Sequence, residues 1–374
     1  MSDQVNLKQL AKELNLAVST VSRALRDSYE ISEETKKRVF SLARKLNYEP
    51  NPYASSLRLQ KSKTLAVVMP EIINNFFSLV INGVEAMASE KGYHVLIYLT
   101  HDDCKKEVSS FKHLLNGRVD GVLLSCAKST TSFSHVSQTV GKDIPVVLFD
   151  RSSPDIDVPQ VITDNYKGGF KATSHLIANG CRRIAYLSSS PNLSTSQDRM
   201  KGYLDALRKH QIPFDPELLL ISENGHDRTK DGKNKALYKL LQSKERPDGI
   251  FASVEKLAIT SYHFCNDLGI DIPGQVKVIC FANLETAPMM APPMTTVVQP
   301  AFEMGKEAAR ILFRLIEKRP LSAAELKTSV LDTVLIERES SRRTDHASPE
   351  VPAVRFPGRA AQPGSTGTYS ARGL

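Results

Sequence analysis

Residues 64–99, TLAVVMPEIINNFFSLVINGVEAMASEKGYHVLIYL, decide the architecture. Leu65–Met69 and His94–Tyr98 are short β-rich apolar runs, and Phe76–Glu90 between them is apolar at helical spacing. Strand, helix and strand in that order predict a parallel pair joined by a crossover helix. The alternation continues outward. Gly121–Leu124 and Val146–Phe149 read as strands, Lys105–Asn116 and Thr130–Val140 as helices. A second series follows, with strands at Gln160–Ile162, Ile184–Leu187, Leu218–Ile221, Gly249–Phe251 and Val276–Phe281. Its helices are Tyr166–Asn179, Gln197–Lys209, Asp231–Gln242 and Lys256–Leu268. Phe302–Lys318 is a last helix and Val330–Glu337 a last strand. Two such series predict an α/β core of two lobes, each a doubly wound parallel sheet, with a ligand cleft between them.

Upstream the period is different. Leu7, Leu10, Ala11 and Leu14 lie at helical spacing behind Asn6, placed as an N-cap; Val18–Leu25 makes a second helix with Val21 and Leu25 inward. A third follows Ser32, with Val39, Leu42, Ala43 and Leu46 inward, so residues 1–49 predict an all-α helix-turn-helix head. Residues 50–63, opened by Pro50 and Pro52, form a hinge too short to persist alone as a helix. The core is expected over 64–340. One lobe takes about 64–162 plus 291–320, the other about 163–290 plus 321–340. Residues 341–374, rich in Pro, Gly, Ser, Ala and Arg, have no apolar periodicity and predict a disordered tail.

Charge is unevenly placed. Of a net +8 over 374 residues, residues 1–63 alone carry 12 basic and 7 acidic side chains, so the small head holds most of the surplus. A basic helical head on a nearly neutral body points to nucleic acid. The five cysteines (Cys104, Cys126, Cys181, Cys265 and Cys280) are scattered and never in a Cys-x-x-Cys pair, which excludes a disulfide framework or a zinc ribbon. No apolar run reaches the ~20 residues of a membrane span, and Met1–Lys12 is too polar for a signal peptide, so a cytoplasmic protein is expected. No nucleophile elbow, phosphate loop or metal-spaced His/Cys/Glu motif occurs. Catalytic residues, metal and cofactor are therefore all expected to be none.

Val5–Ala11, Val18–Leu25 and Leu46–Asn51 closely resemble the head of the LacI/GalR (lactose-repressor) family of bacterial transcription regulators. The resemblance continues in order through Pro70–Phe77, Asp164-Asn165 with Gly168-Gly169, His175–Ile177, Gly180–Ile184, Arg199–Tyr203 and Thr295–Pro300. It implies a periplasmic-binding-protein-like core, a homodimer on a near-palindromic operator and a small effector in the interlobe cleft. By family position Asn6, Val18, Ser19, Thr20, Ser22, Arg23 and Asn51 contact DNA, with Val18 and Ser19 as the main specificity pair. Leu57 wedges into a central base step, and Ala54 lets the hinge helix sit close. Lys36 and Lys37 are expected to add sequence-independent phosphate contacts. Ala17 departs from the serine many relatives carry.

The resemblance places Phe76, Asp150, Arg151, Thr195, Arg199, Asp227 and Asn283 at the effector. Here the chain departs further. Ala282 replaces a family carboxylate, Ala252–Glu255 lacks the family Asn-Asp, and Asp227 stands where an aromatic is usual. With Arg151 and Arg199 retained, a carbohydrate or a phosphorylated or acidic metabolite is expected, the arginines favouring the anionic class. The alternatives are a soluble sugar-binding receptor without DNA function, or a DNA-binding regulator that has lost its effector response.

Overall fold

The computed structural model describes residues 6–25, 27–46, 48, 61–115, 118–221, 235–322, 325 and 327–343. The hinge positions Asn51, Ala54 and Leu57, the cleft position Asp227 and the expected disordered tail from 344 onward lie outside the described residues.

Three helices make the head: α1 (Leu7–Leu14), α2 (Val18–Ala24) and α3 (Glu33–Lys45). Asn6 caps α1 reciprocally, its side chain accepting from the Gln9 amide while the Gln9 side chain accepts from the Asn6 amide. Asn15 then turns the chain in the left-handed region at φ 54°, which asparagine tolerates better than most side chains. Ser32 caps α3, whose first turn holds Glu33 and Glu34 and whose last holds Arg44 and Lys45, as the helix dipole favours. Leu10, Ala11, Val21, Ala24, Val39 and Ala43 are buried together where the helices meet, and Leu25 is only half-buried at their edge.

The core begins with β1 (Thr64–Met69), α4 (Asn75–Glu90), β2 (His94–Leu99), α5 (Cys104–Leu114), β3 (Gly121–Leu124), α6 (Ser134–Val140), β4 (Val146–Phe149) and β5 (Gln160–Thr163). It continues with α7 (Asn165–Ala178), β6 (Ile184–Ser188), α8 (Ser194–Lys209), β7 (Leu219–Ile221), α9 (Lys235–Gln242), β8 (Gly249–Ala252), α10 (Glu255–Asp267) and β9 (Lys277–Phe281). The last elements are β10 (Thr295–Val298), α11 (Ala301–Ile316), β11 (Thr328–Leu331) and β12 (Val334–Ile336). Two sheets result, in the orders β11-β5-β4-β3-β1-β2 and β12-β10-β9-β8-β6-β7. Every pairing is parallel except β10 with β12. Their central strands are buried on both faces, as parallel strands flanked by helices must be. Among the described residues no helix is long and apolar enough to cross a membrane.

The chain passes between the sheets three times: from β5 to α7, from β10 to α11 and from β11 to β12. Two of the expected boundaries therefore move. Residues 291–320 do not stay in the first lobe, because β10 pairs with β9 (Thr296 opposite Cys280) in the second sheet and only α11 returns to pack on the first. The run expected as one strand at 330–337 is two strands. β11 joins β5 in the first sheet, Asp332 and Thr333 carry the chain across, and β12 closes the edge of the second. The crossings from β5, β10 and β11 all leave carboxyl ends of strands, so both sets of carboxyl ends face the same cleft, where doubly wound sheets bind ligands.

Candidate functional site

The first turn of α2 stands clear of the head's core. Val18 is 41% exposed while Val21, one turn on, is fully buried, so Val18 is a surface residue and the core is served by Val21. Ser19 and Arg23 are exposed, and Thr20 and Ser22 half-buried. Ala17, preceding the helix, provides no side-chain cap. Arg23 is not free: its Nη1 lies 2.9 Å from Oε2 of Glu30. Asn6 is committed to capping α1. The expectation for Lys36 needs correction. Its ammonium lies 2.7 Å from Asp27 and 2.8 Å from Glu33, both solvent-exposed, a hydrogen bond to Asp27 above all raises its pKa, and its own side chain is only 9% exposed. Lys36 clamps the loop before α3, whereas Lys37 is exposed.

In the cleft, close backbone packing comes first. A Cβ on Gly169 of α7 would collide with the Arg199 carbonyl of α8, and one on Gly202 with the Tyr166 carbonyl, so only glycines let these helices approach. That contact sets the base of the Arg199 side chain beside the crossings. Arg199 is buried. Its Nε donates to Asn165 Oδ1 at 2.9 Å, Nη1 to the Ser253 carbonyl at 2.7 Å and Nη2 to Gln299 Oε1 at 3.4 Å, while the guanidinium lies 3.7 Å from the Phe281 ring centroid. Burial lowers its pKa and the neighbouring Asp150 opposes that shift. Asp150, itself buried, has its carboxyl pKa raised by desolvation, against the pull of Arg151 and Arg199.

Gln299 and Asn283 complete the arrangement. Gln299 Nε2 donates to Thr163 Oγ1 at 3.1 Å, tying the β5 crossing to the β10 crossing. Asn283 Nδ2 donates to the Gln299 carbonyl at 2.7 Å, and the Gln299 amide donates to Asn283 Oδ1 at 3.1 Å. Asn75, opening α4 in the first lobe, donates from Nδ2 to the Asn283 carbonyl at 2.5 Å across the cleft. Asn283 is thus a clasp on the crossing, not an open ligand group. Buried Thr195 stands in the first turn of α8. Ser125 after β3 and Ser190 after β6, both buried at carboxyl ends, carry hydroxyls with no hydrogen-bond partner.

Two expected ligand groups serve otherwise. Phe76 is 5% exposed and packs edge-on to Phe77 with centroids 5.2 Å apart, within the first lobe's core. Arg151 donates from Nη1 to Asp102 Oδ1 at 2.5 Å and to the Cys126 carbonyl at 2.7 Å, so its charge is compensated. The cation excess attributed to the cleft reduces to Arg199, which faces Asp150. Asn165, Asn75, Asp102 and Gln299 were not singled out from sequence. Asn75, Asn165 and Gln299 lie inside motifs quoted above, whereas Asp102, 49 residues from Arg151, lies in none.

Comparison with known proteins accords with this layout. Residues 6–51 match the model of bacterial regulatory proteins of the lacI family, and residues 173–341 match a periplasmic binding protein-like domain. The ribose operon repressor of Bacillus subtilis (strain 168) is 30% identical over 339 residues, covering 91% of this chain and 99% of the relative. The structure of the lac repressor dimer bound to operator and the anti-inducer ONPF superimposes with a TM-score of 0.79 at 18% identity, covering 91% of this chain and all of that one. A complex of the transcriptional regulator CelR with cellobiose gives a TM-score of 0.65 at 28% identity, covering 90% and 99%. A helix-turn-helix head that matches, a two-lobed core that matches, and near-complete alignment with a relative at this identity lead to one conclusion: the chain belongs to the LacI family and is a DNA-binding transcriptional regulator.

Proposed function

We propose that this regulator represses transcription as a cytoplasmic homodimer on a near-palindromic operator, and that a polyhydroxylated metabolite in the interlobe cleft changes its operator affinity. Its role is binding, not catalysis. Residues 1–49 act as the reading head, 50–63 as the hinge and 64–340 as the effector-binding and dimerising core. Val18, Ser19 and Thr20 meet base edges from the first turn of α2, Ser22 and Arg23 follow one turn on, and Asn51, Ala54 and Leu57 engage the central steps.

Arg199 carries the switch reading. It hydrogen-bonds Asn165 and Gln299, which flank two of the three crossings, so a ligand that takes over one of these bonds favours one lobe arrangement over another. The unpartnered hydroxyls of Ser125 and Ser190 suit a ligand with several hydroxyl groups, in keeping with the cellobiose bound to the related CelR. Pairing of Arg151 with Asp102 weakens the case for a strongly anionic ligand. Dimerisation is supported by apolar side chains left outside: Leu96 and Ile97 on edge strand β2, Ile73 (92% exposed) after β1, and Met289 (85%) with Ile259 on the second lobe.

A second reading has one observation behind it. Arg199, Asn283 and Gln299 already bond one another or the crossings, so these three side chains are satisfied without a ligand, as a regulator without effector response would require. Operator affinity of the full chain, titrated with neutral sugars and with their phosphorylated forms, separates the readings. A shift of at least tenfold with a neutral sugar is expected; a response to phosphorylated sugars alone would overturn the ligand class, and no response to either would favour the second reading.

A further inference from the structure

Residues 27–31, ahead of α3, are tied down by a set of local bonds. Asp27 adopts φ 54° and accepts from the clamped Lys36. The Ser28 amide donates to the Arg23 carbonyl at 3.1 Å, the Ile31 amide to the Ser28 carbonyl at 3.2 Å and the Glu30 amide to Ser28 Oγ at 3.4 Å. Ile31 packs against the head's core. Glu30 is therefore presented by an ordered loop, and its Oε2 meets Nη1 of Arg23 at 2.9 Å with both side chains about half exposed. An exposed ion pair of this kind contributes little to folding. Its consequence lies in orientation. A guanidinium is a rigid planar fork, and anchoring one nitrogen restricts the long side chain while leaving other N–H groups for a partner.

We propose that Glu30 is a positioning residue for base readout: it holds the Arg23 guanidinium so that the fork's remaining N–H groups meet a guanine edge in the major groove. The proposal rests on α2 being the reading helix. It carries a signature that a plain surface charge lacks. A carboxylate near the phosphates repels all DNA alike, but one that orients an arginine also sharpens the choice of base. Removing it should tighten binding to unrelated DNA while loosening discrimination at one base pair of each half-site. Pre-organisation of this sort lowers the ordering cost on binding.

The test uses the full chain, with duplexes selected from a random pool and with affinities for the selected operator and for a scrambled duplex measured at one salt concentration. Glu30→Gln is expected to lower the ratio of specific to non-specific affinity about fivefold, the low end of what one good base contact discriminates. The position it relaxes should be the one relaxed by Arg23→Ala, and the double variant should lose no more than Arg23→Ala alone. Glu30→Asp should recover part of the preference. Equal shifts on operator and scrambled DNA, or relaxation at a different base pair, would overturn the role of Glu30. If Arg23→Ala itself returned the wild-type motif, readout by Arg23 and its positioning by Glu30 would both fall. An Arg23→Ala effect without a Glu30→Gln effect would remove the positioning alone.

Discussion

The head and the cleft treat polar side chains in opposite ways. Along the first turn of α2, Val18 and Ser19 are exposed to solvent. Around Arg199 the side chains of Asn165, Gln299, Asn283 and Thr163 are largely buried and each finds a partner within the chain. A surface that reads a long, regular duplex has its contacts ready beforehand, because base edges are presented by the DNA. A switch works by exchange of partners, and its groups need something to exchange. The difference between the two regions is thus a difference between recognition and coupling.

Breaking the buried side of this comparison should have the largest effect. Arg199→Ala removes three hydrogen bonds and leaves Asp150 buried beside one fewer cation, so the core should lose about 3 kcal/mol, measured by denaturant unfolding. Arg199→Lys, which keeps charge but not the fork, should fold better yet still lose effector response in operator titrations. On the exposed side the effect is smaller and sharper. Lys37→Ala should reduce the slope of log affinity against log salt by about 0.9, one phosphate contact, whereas Lys36→Ala should leave the slope unchanged and lower the head's unfolding temperature.

The smallest effect concerns the end of the core. His175 Nε2 shares a 2.7 Å hydrogen bond with Ser341 Oγ, and burial lowers its pKa while Glu337 opposes the shift. Because the folded-state value lies below the unfolded one, the unfolded chain binds the proton first as acid is added. Stability is full above the ordinary histidine range and declines as pH falls through about 6.5 toward the depressed folded value. His175→Gln should flatten that decline without altering operator affinity at pH 7.5; thermal unfolding across pH checks both.

What could be read from sequence follows from range. The head's caps at Asn6 and Ser32 and the β-rich runs act over a few residues, and each stands where local chemistry places it. The path of 291–340 could not be read in the same way. Thr295–Val298 and Thr328–Leu331 have equally good strand composition, and only the edges available in three dimensions decide which sheet each joins. Charge in the cleft failed for the same reason. Arg151 looks free until Asp102, from the turn after β2, comes into contact with it. Lys36 resembled its neighbour Lys37 until the left-handed Asp27 turned a carboxylate onto it.

The most direct test of the head's role is selection of duplexes by the full chain, run in parallel for wild type and for a variant exchanging Val18 and Ser19. An inverted repeat is expected in both selections, with the same spacing but different preferred bases at the positions facing the start of α2. An identical motif from both proteins, or a single half-site bound as tightly as the repeat, would contradict that role.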